Sequence, residues 1–182
     1  FEHLSLSLVA AAVAAMALME SMALQARTVE EYTVLARWFH VPAAVFIIAI
    51  VPFLRLRYRV GSLWLGAGAV VARLGSLVAN FNSDVNVNFS AVSALLPAKL
   101  LGTDIVFPQG TANPWMALAS LSLLLLLLFV LNGIWQIRRR ESWHAAGHAT
   151  AMLLSVAGFL FFVLVWAVMV ATGKVSLPFL VV

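Results

Sequence analysis

Two ionisable side chains stand inside apolar runs: Glu20, between Met19 and Ser21, and Arg73, between Ala72 and Leu74. Such a group at the centre of a lipid-embedded helix costs roughly 2.5–3.5 kcal/mol on insertion scales, so each needs a partner or a purpose. A carboxyl and a guanidinium at one depth can form an ion pair across a bundle, or together line a polar cavity. His40, followed by Pro42, lies at comparable depth. Asn80, Asn82 and Asp84 follow at the end of one apolar run, and Asn113 and Trp115 open another. Polar groups converging at one end of a bundle are the usual makings of a ligand pocket. The candidate ligand-binding set is therefore Glu20, His40, Arg73, Asn80, Asn113 and Trp115, weighed against helix caps and interfacial anchors.

Other chemistries find little support. His144 and His148 share a helix face at i, i+4, a spacing that can hold a metal, but no acidic or third histidine ligand is near in sequence. A bis-histidine haem needs ligands on two helices at one depth. His40 falls at the opposite membrane face from His144 and His148, while His3 shares their side. The chain contains no cysteine, which excludes disulfides, thiolate metal sites and cysteine nucleophiles. No Gly-rich phosphate loop, nucleophile elbow or paired carboxylates are present. The expectation is no catalytic residue, no metal and no cofactor.

The elements that must position these groups follow from hydropathy. Of the 182 residues, 64% are hydrophobic and 10% charged, against about a quarter charged in soluble domains. The expected fold class is an all-α integral membrane bundle of about five transmembrane helices, each needing roughly 20 apolar residues. Their spans are Leu4–Leu24, Leu35–Leu54, Ser62–Ala79, Pro114–Ile137 and Ala146–Thr172. Leu123–Leu128 reads as a lipid-facing surface, and Gly66, Gly68 and Gly75 as sites of close helix packing. Several of Trp38, Trp64, Trp115, Trp143 and Trp166 suit an interfacial belt.

Residues 80–113 are too long for a turn and read as a small extracytoplasmic cap. Val85–Phe89 alternates apolar and polar like a strand, Ile105–Phe107 is a second strand, and Ser93–Leu100 a short helix. The net charge of +4 is concentrated in Arg55, Arg57 and Arg59 and in Arg138, Arg139 and Arg140. By the positive-inside rule turns 55–61 and 138–145 are cytoplasmic, while 25–34 and 80–113 are extracytoplasmic. This pattern is that of membrane topology and not of nucleic-acid binding.

Several stretches carry a family resemblance. Ala36-Arg37-Trp38-Phe39-His40-Val41-Pro42 resembles the RW-x-HVP opening of a helix in the multi-helix membrane sensor region of certain bacterial sensor histidine kinases, a region that precedes PAS and kinase modules. Ala72–Phe81 is similar to that family's LRALALVLNF-like helix end. Asn113-Pro114-Trp115, followed by Leu121–Leu125 and a basic turn, is similar to its NPW…LSLLLL segment. Glu20 falls where the family tends to carry an acid. The likeness runs from about Leu18 to Arg140; beyond it, Ser142–His148 departs, being more polar and richer in histidine. The resemblance implies a seven-helix bundle of which this chain holds the second to sixth helices, with the seventh opening near Leu177.

The functional expectation is a membrane-embedded sensory input domain in the bacterial inner membrane. It would bind an extracytoplasmic or membrane-dissolved small-molecule signal and pass a helix rearrangement to a cytoplasmic output module. The alternative is an accessory structural subunit of a larger membrane complex. The partners in view are the lipid bilayer, a small-molecule signal, and a second copy or partner membrane subunits.

Overall fold

The computed structural model describes residues 1–100, 102–140 and 143–171. The elements run α1 (Glu2–Leu24), α2 (Val29–Tyr58), α3 (Leu63–Asn82), β1 (Phe89–Leu100), β2 (Thr103–Ala112), α4 (Met116–Arg140) and α5 (Trp143–Ala171). Among the described residues, five helices are long and apolar enough to cross a membrane. The expected end of α5 at Thr172 lies outside the described residues.

Helix α2 begins six residues before the expected Leu35. Thr28 caps it, its hydroxyl accepting from Glu31 N at 3.1 Å, while the Glu31 carboxylate accepts from Arg27 N at 2.8 Å. Glu30 and Glu31, which look like loop residues by hydropathy, sit in the first turn, where carboxylates favour the exposed amides. Pro42 and Pro52 both lie within α2. Each deletes one helical amide donor. The helix ends where Arg59 adopts a left-handed conformation, φ 52°, with its N–H donating to Arg55 O at 3.0 Å. Helix α4 starts two residues after Pro114, because Pro114 and Trp115 form a lead-in turn held by Asn113.

The helices follow one another around the bundle: α1 packs on α2, α2 on α3, α3 on α4 and α4 on α5. The core lies between α2 and α4, centred on Ile47, Leu54, Leu126, Phe129 and Val130, with Leu153 and Leu160 from α5. The Leu123–Leu128 run is therefore not simply a lipid-facing surface. Leu123, Leu126 and Leu127 are buried and Leu124 and Leu128 are exposed, since a helical period of 3.6 sends a continuous apolar run to both faces. Helix α3 is unbroken across its glycines. A Cβ on Gly66 would come within 2.7 Å of Val51 Cγ1, and one on Gly75 within 3.3 Å of Leu118 Cδ2. Ser122 Oγ donates to Ala69 O at 3.0 Å, tying α4 to α3. By contrast, Ala12 is the sole buried residue of α1 among those described.

Between α3 and α4 the cap is an antiparallel hairpin with Phe89 opposite Ala112 and Leu100 opposite Thr103, irregular between Phe89 and Ala94. The two-stranded expectation holds, with Ile105–Phe107 inside β2. Two details are corrected. Ser93–Leu100 is strand and not helix, because Pro97 would interrupt a helix, whereas a strand with a free edge accommodates it. Val85–Asn88 is an irregular turn, because Asn86 Oδ1 accepts from the amides of both Asn88 and Phe89 at 2.8 Å. That local capture of backbone donors competes with strand pairing. Gly110 lies where a Cβ would sit 2.2 Å from Ala91 O, so the strands can close only on glycine.

The two basic clusters meet at one end of the bundle. Arg140 Nη1 donates to Arg59 O at 3.1 Å, Arg55 Nη1 to Gly61 O at 2.7 Å, and Arg57 pairs with Glu2 at 3.5 Å. Arg139 stacks over the Trp135 ring at 4.0 Å. The hairpin and the α1–α2 turn lie at the other end.

Candidate functional site

Midway between the core and the hairpin end, the helices enclose a cavity of about 500 Å³. Every helix contributes to it: Glu20 from α1, His40 from α2, Arg73 from α3, Leu123 from α4 and Phe159 from α5. Apart from the three ionisable residues and Ser155, its lining is apolar or aromatic, including Met16, Phe39, Phe46 and Leu160. His40 and Arg73 are 3% and 6% exposed, and Glu20 is half-buried. Glu20 Oε1, His40 Nδ1 and Arg73 Nε are each buried without a hydrogen-bond partner. A buried polar atom left unpaired costs about 1–3 kcal/mol, more when charged. All three residues line the one cavity.

Glu20 and Arg73 do not form the ion pair that their depths allow. The salt bridges among the described residues are Arg57–Glu2 and Lys99–Asp104, both with largely exposed side chains. The cavity is the arrangement that the structure adopts.

The other three candidates lie elsewhere. Asn80, fully buried, donates to Arg37 O at 2.9 Å and accepts from Val87 N at 3.0 Å. Asn113 Nδ2 donates to Ser83 Oγ at 3.1 Å and to Asn86 O at 2.8 Å, and its carbonyl accepts from Trp115 N at 3.1 Å. Both amides are engaged in fastening the hairpin to α3 and α4. Trp115 is exposed on the outer surface, as an interfacial anchor would be. Asn113 also borders an apolar groove between α4 and α5. The six candidates thus divide into a cavity trio, a structural asparagine pair and a surface tryptophan.

Arg37 is the residue of greatest structural weight outside that set. Its guanidinium donates to Val85 O at 2.7 Å, to Ser83 O at 2.8 Å and to Asp84 O. It clamps the turn after α3 onto α2, beside the edge-to-face contact of Trp38 with Phe81, ring centroids 5.4 Å apart. In sequence Arg37 has Glu30 and Glu31 nearby as offsetting charges; the available signal is the helix-ending run Asn82-Ser83-Asp84, whose carbonyls need donors.

Among the described residues no three His, Asp or Glu side chains converge as a metal site would require. His148 is exposed on α5, and the His144 side chain lies outside the described residues. Comparison with family models, curated proteins and solved structures returns no match.

Proposed function

We propose that this chain is a membrane-embedded sensory input domain of a bacterial signal-transduction protein. It sits in the inner membrane with turns 55–61 and 138–145 in the cytoplasm and the hairpin outside, and takes a small-molecule signal into the five-helix cavity. The observation that carries this reading is the convergence of Glu20, His40 and Arg73, each with a buried polar atom that has no hydrogen-bond partner, on the lining of one largely apolar cavity. A ligand that satisfies them stabilises whichever helix arrangement brings them together, and that differential affinity is what a sensor needs. Helix α1 is held mainly through α2 and helix α5 mainly through α4, so each outer helix rests on one main neighbour. The resemblance of residues 36–42, 72–81 and 113–125 to kinase sensor regions agrees with this reading, as does the basic-residue pattern.

The absence of cysteine allows a direct test. Spin labels placed at Leu4→Cys and Gly147→Cys report the separation of the cytoplasmic ends of α1 and α5. The chain is purified in nanodiscs, a lipid extract of the source membrane is added, and bound small molecules are identified by mass spectrometry. We expect one retained molecule per chain and a changed distance distribution, both lost in Arg73→Ala. A retained molecule with an unchanged distribution would leave a binding protein and remove the sensor.

A further inference from the structure

We propose, resting on the reading of the cavity as a ligand site, that its occupant is a neutral, lipid-soluble carbonyl compound of the quinone class. The ring is held between His40 and Arg73, and the tail leaves the bundle between α1 and α5.

With Glu20 ionised, Arg73 and Glu20 balance each other, and charge then disfavours an anionic lipid. A fatty acid would add a second carboxylate to a water-poor site, where an uncompensated charge is costly. A neutral ligand leaves the balance intact. It must still offer acceptors, because the guanidinium of Arg73, a cavity-lining residue 6% exposed, is a permanent donor. His40, on a different helix and 3% exposed, lines the cavity as well and carries one ring N–H when neutral. A ring with carbonyls on opposite edges reaches donors on two helices at once. Glu20, lining the cavity from α1, supplies a carboxyl group to accept from a ligand hydroxyl, which the reduced form of such a ring carries.

Shape agrees. A volume of about 500 Å³ is in the usual range of pockets that enclose most of a small organic ligand. Phe39 and Phe46 on α2 offer flat apolar surface to a ring. The way out is apolar as well. Helices α1 and α5 share the cavity without packing substantially on each other among the described residues. Val13 on α1 and Phe159 on α5, both lining the cavity, are 47% and 58% exposed. An isoprenoid or alkyl tail can therefore pass between them into the bilayer.

The test is titration of the full chain, in phosphatidylcholine nanodiscs, with decylubiquinone and, separately, with oleate. We expect saturable binding of decylubiquinone at one per chain and no saturable binding of oleate. Arg73→Gln should weaken decylubiquinone at least tenfold. Val163→Trp, which adds bulk at an apolar position of the lining, should abolish it. Helix content and elution volume of each variant, matched to the parent chain, confirm folding. Saturable oleate binding lost in Arg73→Gln, with none for decylubiquinone, overturns the quinone assignment and leaves the ligand site standing. Binding of decylubiquinone undiminished in Val163→Trp overturns the assignment to this cavity. If neither probe binds while a molecule from the membrane extract is retained, the class is wrong and the site right. If nothing is retained either, both readings fall.

Discussion

Arg73, proposed to meet a ligand, and Asn80, which holds backbone groups, call for opposite tests. A buried guanidinium whose Nε meets no acceptor destabilises the ligand-free bundle, and replacing such groups with apolar ones of similar volume is often neutral or stabilising. Arg73→Met should therefore stabilise the empty protein by about 1–3 kcal/mol, read as a raised midpoint of thermal unfolding in detergent, while removing ligand retention. A lower midpoint would mean that Arg73 is a structural group. Asn80 predicts the opposite. Asn80→Ala leaves Arg37 O without this donor and the Val87 amide unpaired, at a cost of about 1–3 kcal/mol, with faster hydrogen exchange at Val87 and ligand retention intact. At this scale the sequence distinguished the trio only by type. Glu20, His40 and Arg73 are conspicuous as ionisable groups in apolar runs, whereas Asn80 and Asn113 look equally available until their backbone partners are seen. Those partners, such as Arg37 O for Asn80, lie as far as 43 residues away, beyond the reach of any local pattern.

The elements were legible where hydropathy runs long. Each expected spanning segment corresponds to a helix, and the errors fall at ends governed by hydrogen bonding. Thr28 and Glu31 extend α2 into a charged stretch, and Asn86 draws in the amides that would have begun a strand. The helix expected at Ser93–Leu100 follows from its Ala and Leu content, and pairing with β2 overrides that preference. Two glycines separate conformational demand from steric demand. Gly61 and Gly102 both have positive φ, 89° and 85°. A Cβ on Gly102 would meet nothing within 4 Å, whereas one on Gly61 would fall 2.2 Å from Phe129 Cε2. Gly102→Ala should therefore cost about 1–2 kcal/mol, the backbone penalty alone. Gly61→Ala should cost at least about 1–3 kcal/mol more, because the core around Phe129 is overpacked. Equal destabilisation in chemical denaturation would show that Phe129 yields freely.

At the scale of the whole molecule, the contacts Arg140–Arg59 and Arg57–Glu2 gather both basic turns and the start of α1 at one end, the arrangement that alternating spanning helices would give. A single cysteine at Lys99 should react with a membrane-impermeant maleimide in intact cells, and one at Arg57 only after permeabilisation. The reverse labelling pattern would invert the proposed orientation. The cavity itself could not be read from the sequence, because it depends on how five helices are placed and on α1 and α5 standing apart. Residue types foretold which groups would be uncomfortable in lipid, and packing decided that they would share one space.

The clamp made by Arg37 has a thermodynamic consequence. Arg37 grips the turn leading into the hairpin, and His40, three positions on, occupies the adjacent turn of the same face of α2. If the proposed ligand shifts that face, the clamp is strained or relaxed, and the hairpin and the cavity become linked equilibria. Linkage is reciprocal. A nanobody raised against the hairpin of the ligand-bound form should tighten ligand binding by the same factor by which the ligand tightens the nanobody. The hairpin would then serve as a handle by which the state of the cavity can be weighed from the far end of the bundle.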